Sequence, residues 1–311
     1  MGQHTKLLFA GTPDFALAAL RALHGAGHAI PAVITRPDRA VGRGRRIAAS
    51  PVKRWARETG LNLLQPASWK DASLTRQLED FGADLLVVAA YGSILPAAAL
   101  DACALGAVNI HASLLPRWRG ASPVAAAILA GDGHTGVTLM QMDAGLDTGP
   151  LLAARRTAIE PHETTGTLER RLARLGADLL IEQLPAILAG ELEAVPQDAV
   201  LSTYAPLIAK RQGRLDWTLS AEALARRVRA YDPWPVAHAM WSDRPLRLWK
   251  AQALEGSGGE PGRVLDISRA GMDVATVSGM LRVQEVQLPG RRRMPASNAA
   301  RGAPLAEAVL T

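Results

Sequence analysis

Short apolar runs alternate with amphipathic stretches along the first two-thirds of the chain. Lys6–Ala10, Ile30–Thr35, Leu85–Ala90 and Ala107–His111 are mostly apolar and are bounded by turn residues. Runs of this length and texture read as strands buried on both faces. Between them Phe15–Leu23, Pro51–Glu58 and Leu74–Phe81 carry helical spacing. The alternation predicts βαβ units and an α/β domain with a mainly parallel sheet. Ligands of such sheets bind outside the carboxyl ends of the strands, which singles out residues 11–14, 36–50, 91–95 and 109–120.

A longer helix is predicted over Thr165–Leu188, where Leu168, Leu172, Leu175 and Leu179 form one apolar stripe. Arg170, Arg171 and Arg174 fall off that stripe and read as solvated. Residues 190–208 hold Pro196 and Pro206 without a clear period, as a linker does. Beyond them the texture changes. Ser220–Ala230 predicts a helix with Ser220 as N-cap and Glu222 in the first turn. Short strands then alternate with Asp243-Arg-Pro245, Gly256-Ser-Gly-Gly259, Pro261-Gly262 and Pro289-Gly290, a pattern that predicts a small β-barrel. The expected organisation is an α/β domain over residues 1–189, a linker over 190–208 and a barrel domain over 209–311.

Composition narrows the class. Of 311 residues, 48% are hydrophobic and 21% charged, which excludes a disordered or collagen-like chain. The longest run without a charge, Leu85–Leu100, contains Gly92, Ser93 and Pro96 and falls short of the ~18 residues a membrane-spanning helix needs. No membrane association is expected, and Met1–Lys6 offers no room for the regions of a signal peptide, so a cytoplasmic location is expected. The single cysteine, Cys103, excludes an internal disulfide and a Cys-based zinc site and fits a reducing compartment.

The formal net charge is +6, and the whole excess lies after residue 205. A second basic feature is local: Arg36, Arg39, Arg43, Arg45, Arg46, Lys53, Arg54 and Arg57 share residues 36–57 with one acid, Asp38. Two separated basic features on a near-neutral body point to a polyanionic partner, with a plain solvated surface as the competing reading.

Several signatures are missing. There is no GxxxxGK[ST], and Gly42-Arg-Gly44 lacks the third glycine of GxGxxG, so nucleotide hydrolysis and dinucleotide binding lack their usual phosphate cradle. No HExxH spacing links two histidines and no GxSxG is present, so no metal is expected and no serine nucleophile stands out.

One stretch has the texture of a site. Val108–Pro123 runs from a strand into a proline-containing loop, and Asn109 and His111, two apart, point to one face of that strand. Met142–Gly149 is a glycine-bracketed acidic loop holding Asp143 and Asp147. A carboxylate from it would orient His111 and favour the protonated imidazole. Asn, His and Asp together suit addition to a carbonyl: the amide and the imidazolium stabilise a developing oxyanion while the carboxylate helps remove a proton from the nucleophile. Taken singly, Asn109 also reads as a strand-end hydrogen-bonder and His111 as a satisfied interior histidine.

The run Asn109-Ile-His-Ala-Ser-Leu-Leu-Pro116 together with Gly145-Leu-Asp-Thr-Gly149 resembles the signature of the folate-dependent formyltransferases. The resemblance implies a Rossmann-like sheet, 10-formyltetrahydrofolate as formyl donor, Asn109, His111 and Asp147 as the catalytic residues, and Ser113, Leu114, Leu115 and Pro116 as the loop beside the folate. It extends through Gly11-Thr-Pro-Asp-Phe15, Thr35–Arg46, Ser50-Pro-Val-Lys53, Pro116–Gly120, Met140–Asp143, Asp216-Trp217 and Asp232-Pro-Trp-Pro235. In this fuller form it is similar to the branch of the family whose acceptor is the α-amine of methionyl initiator tRNA. That branch implies tRNA contact by Arg36, Arg39, Arg43, Arg45 and Arg46, a C-terminal barrel of OB type, a role in translation initiation and a monomer. The alternatives are a sister enzyme acting on a small amine, for which the basic loop has no obvious purpose, and a non-catalytic RNA-binding protein. Asp143 reads as a loop-shaping residue, Trp217 and Trp234 as packing, and His134 and Cys103 as bystanders. Arg291, Arg292 and Arg293 read equally as phosphate contacts or solvated surface.

Overall fold

A computed structural model of the chain describes residues 5–41, 46–69, 72–256, 259–299 and 305–311. The chain divides into two compact units. One comprises Met1–Pro123, His134–Ala158 and Glu169–Ala205, and the other Val124–Gly133, Ile159–Leu168 and Pro206–Thr311. Residues 190–205, expected as a linker, thus belong with the first unit.

Through residue 189 the elements are β1 (Leu7–Gly11), α1 (Asp14–Gly25), β2 (Val33–Ile34), β3 (Arg39–Val41), β4 (Arg46–Ala48), α2 (Pro51–Glu58), β5 (Leu63–Leu64), α3 (Ala72–Asp80), β6 (Leu85–Ala89), α4 (Ala97–Leu100), β7 (Ala107–His111), α5 (Pro123–Ala130), β8 (His134–Gln141), β9 (Leu151–Ala158) and α6 (Thr165–Ala189). The main sheet has the order β5-β2-β1-β6-β7-β8-β9. Neighbours from β5 to β7 run parallel, while β8 is antiparallel to β7 and β9 to β8.

The apolar runs become strands because both faces are covered. Every residue of β1, β6 and β7 is buried. Leu8, Ile34, Leu78, Leu86, Val88 and Leu100 form a core on which Trp69 and Phe81 pack. Burying each Leu or Ile of that group stabilises by about 1.5–3 kcal/mol relative to exposure. Helix α2 starts where Ser50 Oγ accepts a hydrogen bond from the Lys53 N–H at 3.0 Å, with proline in the first turn.

Three elements differ from expectation. Strand β2 covers two residues of the predicted six, because only Val33 and Ile34 pair with both neighbours. The β8–β9 hairpin was not predicted: β9 carries Arg155 and Arg156 and lies at the sheet edge, so it lacks the apolar continuity of a central strand. Arg171 is not simply solvated, since its guanidinium donates to Thr157 Oγ1 at 2.5 Å and to the Ala158 carbonyl at 2.6 Å.

In the second unit, α7 (Ala221–Ala230) is capped as predicted, with Ser220 Oγ accepting from the Ala223 N–H at 3.3 Å. Strands β10 (His238–Trp241), β11 (Arg244–Leu254), β12 (Val264–Ser268), β13 (Gly271–Ala275), β14 (Met280–Gln287) and β15 (Met294–Pro295) precede the short helix α8 (Ala296–Ala299). They form one antiparallel sheet ordered β10-β11-β14-β13-β12, with β15 on β14. The last residues bridge its two edges. Thr311 exchanges hydrogen bonds with Met240 on β10, while the Val264 N–H donates to Ala308 and the Leu310 N–H to Gly262 beside β12. Trp217 is buried, as expected, while Trp234 is 52% exposed. No helix among the described residues is long and apolar enough to cross a membrane.

Candidate active site

The site grows from the carboxyl end of β7. Asn109 sits opposite Val88 of β6 and Met140 of β8, and His111 opposite Thr138. Both are buried, at 8% and 6% exposure. Among the described residues the Asn109 side-chain amide has no hydrogen-bond partner. It is not among the fully buried side-chain polar atoms that lack a partner, so it remains open to solvent and to a ligand.

His111 is held on both sides. Its Nε2 lies 2.9 Å from the Trp118 carbonyl oxygen, which can only accept, so Nε2 carries the proton of that bond. Its Nδ1 faces Asp147 Oδ2 at 3.7 Å. The nitrogen turned toward the carboxylate is therefore Nδ1. Asp147 Oδ2 also accepts the Gly120 N–H at 2.8 Å. Trp118 and Asp147, the two residues that flank the ring, adopt left-handed backbone conformations with φ of 62° and 52°. Such residues persist where surrounding contacts over-determine them, and they cluster at functional sites.

Those contacts can be named. After β7 the chain folds back on β8: Thr138 Oγ1 donates to the Ser113 carbonyl at 2.7 Å and accepts the Leu115 N–H at 3.2 Å. Ser113 is fully buried and its hydroxyl donates to the Arg117 carbonyl at 2.7 Å. Its side chain thus shapes the loop from inside. Leu115 is buried too, while Leu114 and Pro116 are half-buried. Gly120 has φ +109°, and a Cβ there would meet Tyr204 Cε2 at 2.6 Å and the Ala205 carbonyl at 2.8 Å. In the acidic loop Asp143 has the role expected of it, accepting the Gly145 N–H at 3.0 Å and the Thr148 hydroxyl at 2.7 Å. That loop closes at Gly149, where a Cβ would collide with the Gln141 carbonyl.

Trp118 and Gly120, which lie in the Pro116–Gly120 run but had no role assigned from sequence, help to build the site, as do Thr138, Gln197 and Thr203, which were not identified from sequence. The last two lie some fifty residues past Asp147, and no local pattern links them to it. His134 is exposed and Cys103 buried, with the thiol pushed up to about 11 by burial. Among the described residues no group of three His, Cys, Asp or Glu side chains could hold a metal ion.

In the basic segment β3 pairs antiparallel with β4; the tRNA-contact expectation also names Arg43 and Arg45. Those two arginines and the side chain of Arg46 lie outside the described residues. Arg39 is exposed, and Arg36 Nη1 donates to the Gly92 carbonyl at 2.5 Å. Lys53 departs from the expectation of a basic surface. It is buried, and its ammonium donates to Asp38 Oδ2 at 2.6 Å and Gln65 Oε1 at 2.7 Å. Gln65 Nε2 in turn donates to the Arg36 carbonyl and to Asp38. The hydrogen bond from Lys53, reinforced by that from Gln65, holds the Asp38 carboxyl below the ordinary value of 3.8.

Residues 5–184 match the family described as "Formyl transferase", and residues 207–304 match "Formyl transferase, C-terminal domain". The methionyl-tRNA formyltransferase of Paraburkholderia phymatum is 47% identical over 316 residues, covering 98% of this chain and 97% of its own. That of Methylococcus capsulatus is 50% identical over 293 residues, covering 94% and 95%. Among solved structures, HypX from Aquifex aeolicus in complex with tetrahydrofolic acid superposes with a TM-score of 0.67 at 17% identity, over 96% of this chain and 47% of that one. The sugar 3N-formyl transferase WlaRD gives 0.68 at 16% identity, over 94% and 100%. At such identities these two structures show the shared fold alone. The family matches and the near-full-length relatives together establish that the chain belongs to the formyl transferase family and, within it, to the methionyl-tRNA formyltransferases.

Proposed function

We propose that this chain transfers a formyl group to the α-amine of methionyl initiator tRNA, for translation initiation, through Asn109, His111 and Asp147. The observation that carries the reading is the grouping of an unpaired amide, an imidazole and a carboxylate at the carboxyl end of β7, where parallel sheets bind ligands. A 10-formyltetrahydrofolate co-substrate supplies, when bound, a formyl carbonyl open to attack by an amine. The residues present fit such a group: the Asn109 amide has no protein partner and is open to a ligand, and a formyl oxygen can accept from it. In the adjoining loop, Leu114 and Pro116 are the members of residues 113–116 with surface to offer a ligand, while Ser113 and Leu115 hold the loop's shape.

The division of labour follows from the hydrogen bonds. Asn109 donates to the formyl oxygen as charge develops on it. With Nε2–H engaged by Trp118, His111 serves that oxygen through Nδ1–H as the imidazolium. Asp147, held by the Gly120 N–H, orients Nδ1 and receives the proton that the attacking amine loses. That proton finally replaces the formyl group on the leaving nitrogen, so the reaction consumes no net proton. Donors fixed before charge develops need no reorganisation, and each is typically worth 10²–10³ in rate.

Residues 209–311 and the β3–β4 hairpin supply the tRNA contacts in this reading, with Arg36, Arg39, Arg43, Arg45 and Arg46 on phosphates. Arg293 is already stacked, its guanidinium carbon 3.1 Å from the Trp249 ring centroid and Nη2 3.6 Å from Asp232. Arg291 and Arg292 are exposed. In this reading the working unit is a monomer. Formyl transfer from labelled 10-formyltetrahydrofolate to initiator methionyl-tRNA, with uncharged tRNA and elongator methionyl-tRNA alongside, tests the reading. Label on the initiator species alone supports it. Label on none of them, with folate still bound, overturns the choice of acceptor.

A further inference from the structure

Two loops meet at His111, one carrying Trp118 and Gly120 and the other Asp147. Neither lies within a helix or strand, and both contain a non-glycine residue with positive φ. What ties them together comes from residues 195–205. Thr203 Oγ1 accepts the Trp118 N–H at 2.8 Å, the Thr203 carbonyl accepts the Arg119 N–H at 2.9 Å, and the Arg119 carbonyl accepts the Ala205 N–H at 2.7 Å. Val195 exchanges backbone hydrogen bonds with Leu151, just beyond the acidic loop.

Between those grips sits one side chain that touches both loops. Gln197 Nε2 donates to the carbonyl oxygens of Asp147, at 3.0 Å, and Gly149, at 2.7 Å. Gln197 Oε1 accepts from Arg119 Nε at 3.0 Å and Nη2 at 2.8 Å. Carbonyls only accept and a guanidinium only donates, so the position needs a donor and an acceptor on one planar group of this reach. An amide provides both, whereas a carboxylate has no proton to give and an ammonium no lone pair. The connections close a ring: Gln197 to the Asp147 backbone, Asp147 Oδ2 to the Gly120 N–H, and Arg119, which precedes Gly120, back to Gln197.

We infer that Gln197 is a positioning residue for the reaction, fixing where the Asp147 carboxylate lies relative to His111 and the acceptor amine. The inference rests on the formyl-transfer reading above and adds to it a residue outside the strand-end motif. Gln197 touches backbone carbonyls and Arg119, and acts only through the loops it joins. A misplacement of reacting groups by 1 Å is enough to lower a rate about 10²-fold.

The test compares Gln197→Glu and Gln197→Met with the wild type in steady-state formylation of methionyl-tRNA. Gln197→Glu keeps a partner for Arg119 but sets a carboxylate oxygen against the two carbonyls. Gln197→Met keeps the volume without either polar group, and carries the test if the first variant fails to fold. The expected result is a kcat lower by about 10–10²-fold, with KM for methionyl-tRNA within about twofold of wild type. In an Asp147→Asn background the Gln197 substitutions should lower kcat no further, because their effect passes through that carboxylate. Wild-type kcat in a folded Gln197 variant overturns the inference, as does a full additive loss in the Asp147→Asn background. If the wild-type chain formylates no acceptor, the functional reading itself falls and the inference with it.

Discussion

The His111 site and the basic hairpin are both loops that bear charge beside the same sheet, and they divide buried from exposed groups in opposite ways. At His111 the proposed catalytic groups are buried or half-buried, and two of them are tied to a backbone atom: Nε2 to the Trp118 carbonyl, Asp147 Oδ2 to the Gly120 N–H. At the hairpin the buried charge is the anchor. Lys53, Asp38 and Gln65 lock the base through hydrogen bonds of 2.6–3.1 Å, while Arg39 stays exposed. The contrast has a physical origin. Stabilising a transition state requires donors already in place in a site that excludes water. Binding a polyanion requires solvated cations able to release its counterions. A basic residue in a basic segment is therefore not by itself a phosphate contact, and Lys53 is the case in point.

The sharpest way to break the comparison is at the chemistry. Asn109→Ala and His111→Ala should each lower kcat by about 10²–10³-fold with circular dichroism and melting temperature close to wild type. Near-normal turnover in either variant would remove that residue from the mechanism. Next in size is Gly120→Ala. Its methyl group would press on the Tyr204 ring and the Ala205 carbonyl at a φ of +109°, so unfolding free energy should fall by about 1–3 kcal/mol and kcat should fall with it. Retention of both would mean that residues 204–205 move aside without consequence for the site.

The hairpin should respond differently. Arg39→Ala should weaken methionyl-tRNA binding and reduce the slope of log K against log salt by about one, with kcat at saturating tRNA unchanged. Lys53→Met should lower the melting temperature but leave that slope alone, because a buried ammonium neutralises no phosphate. Equal slopes for Arg39→Ala and wild type would make the hairpin a surface only. A smaller difference concerns pH. Asp38 titrates below its ordinary value, so its contact with Lys53 stabilises fully above pH 3.8 and is lost as pH falls through the lower folded-state value. The stability gap between wild type and Asp38→Asn, read by urea titration, should therefore hold from neutral pH to about 5 and close only below 3.8. A gap that closes near neutral pH would assign the effect to another group.

Much of this design is legible in the residues because it is local. Strands β1 and β6 are continuous apolar runs, as strands covered on both faces are, and β7 departs from that pattern only at Asn109 and His111. Two-residue periodicity places Asn109 and His111 on one face, and the structure keeps them at adjacent buried positions of β7. The Ser220 cap follows from the affinity of a hydroxyl for the first N–H groups of a helix. The β8–β9 hairpin was harder to read because Arg155 and Arg156, consecutive on an edge strand, put a charge on each of its faces and break the apolar pattern.

Sequence alone therefore determined the fold class and the family and brought forward Asn109, His111 and Asp147 as candidates, because period, turn chemistry and a dense motif are all properties of neighbouring positions. Tertiary structure decided how those residues work together. That Nδ1 faces Asp147, that Lys53 is an anchor and that Gln197 binds two loops some fifty and eighty residues away all depend on which backbone carbonyls and carboxylates come within 4 Å in space. Hydrogen bonds and ion pairs act at that range and take no account of separation along the chain.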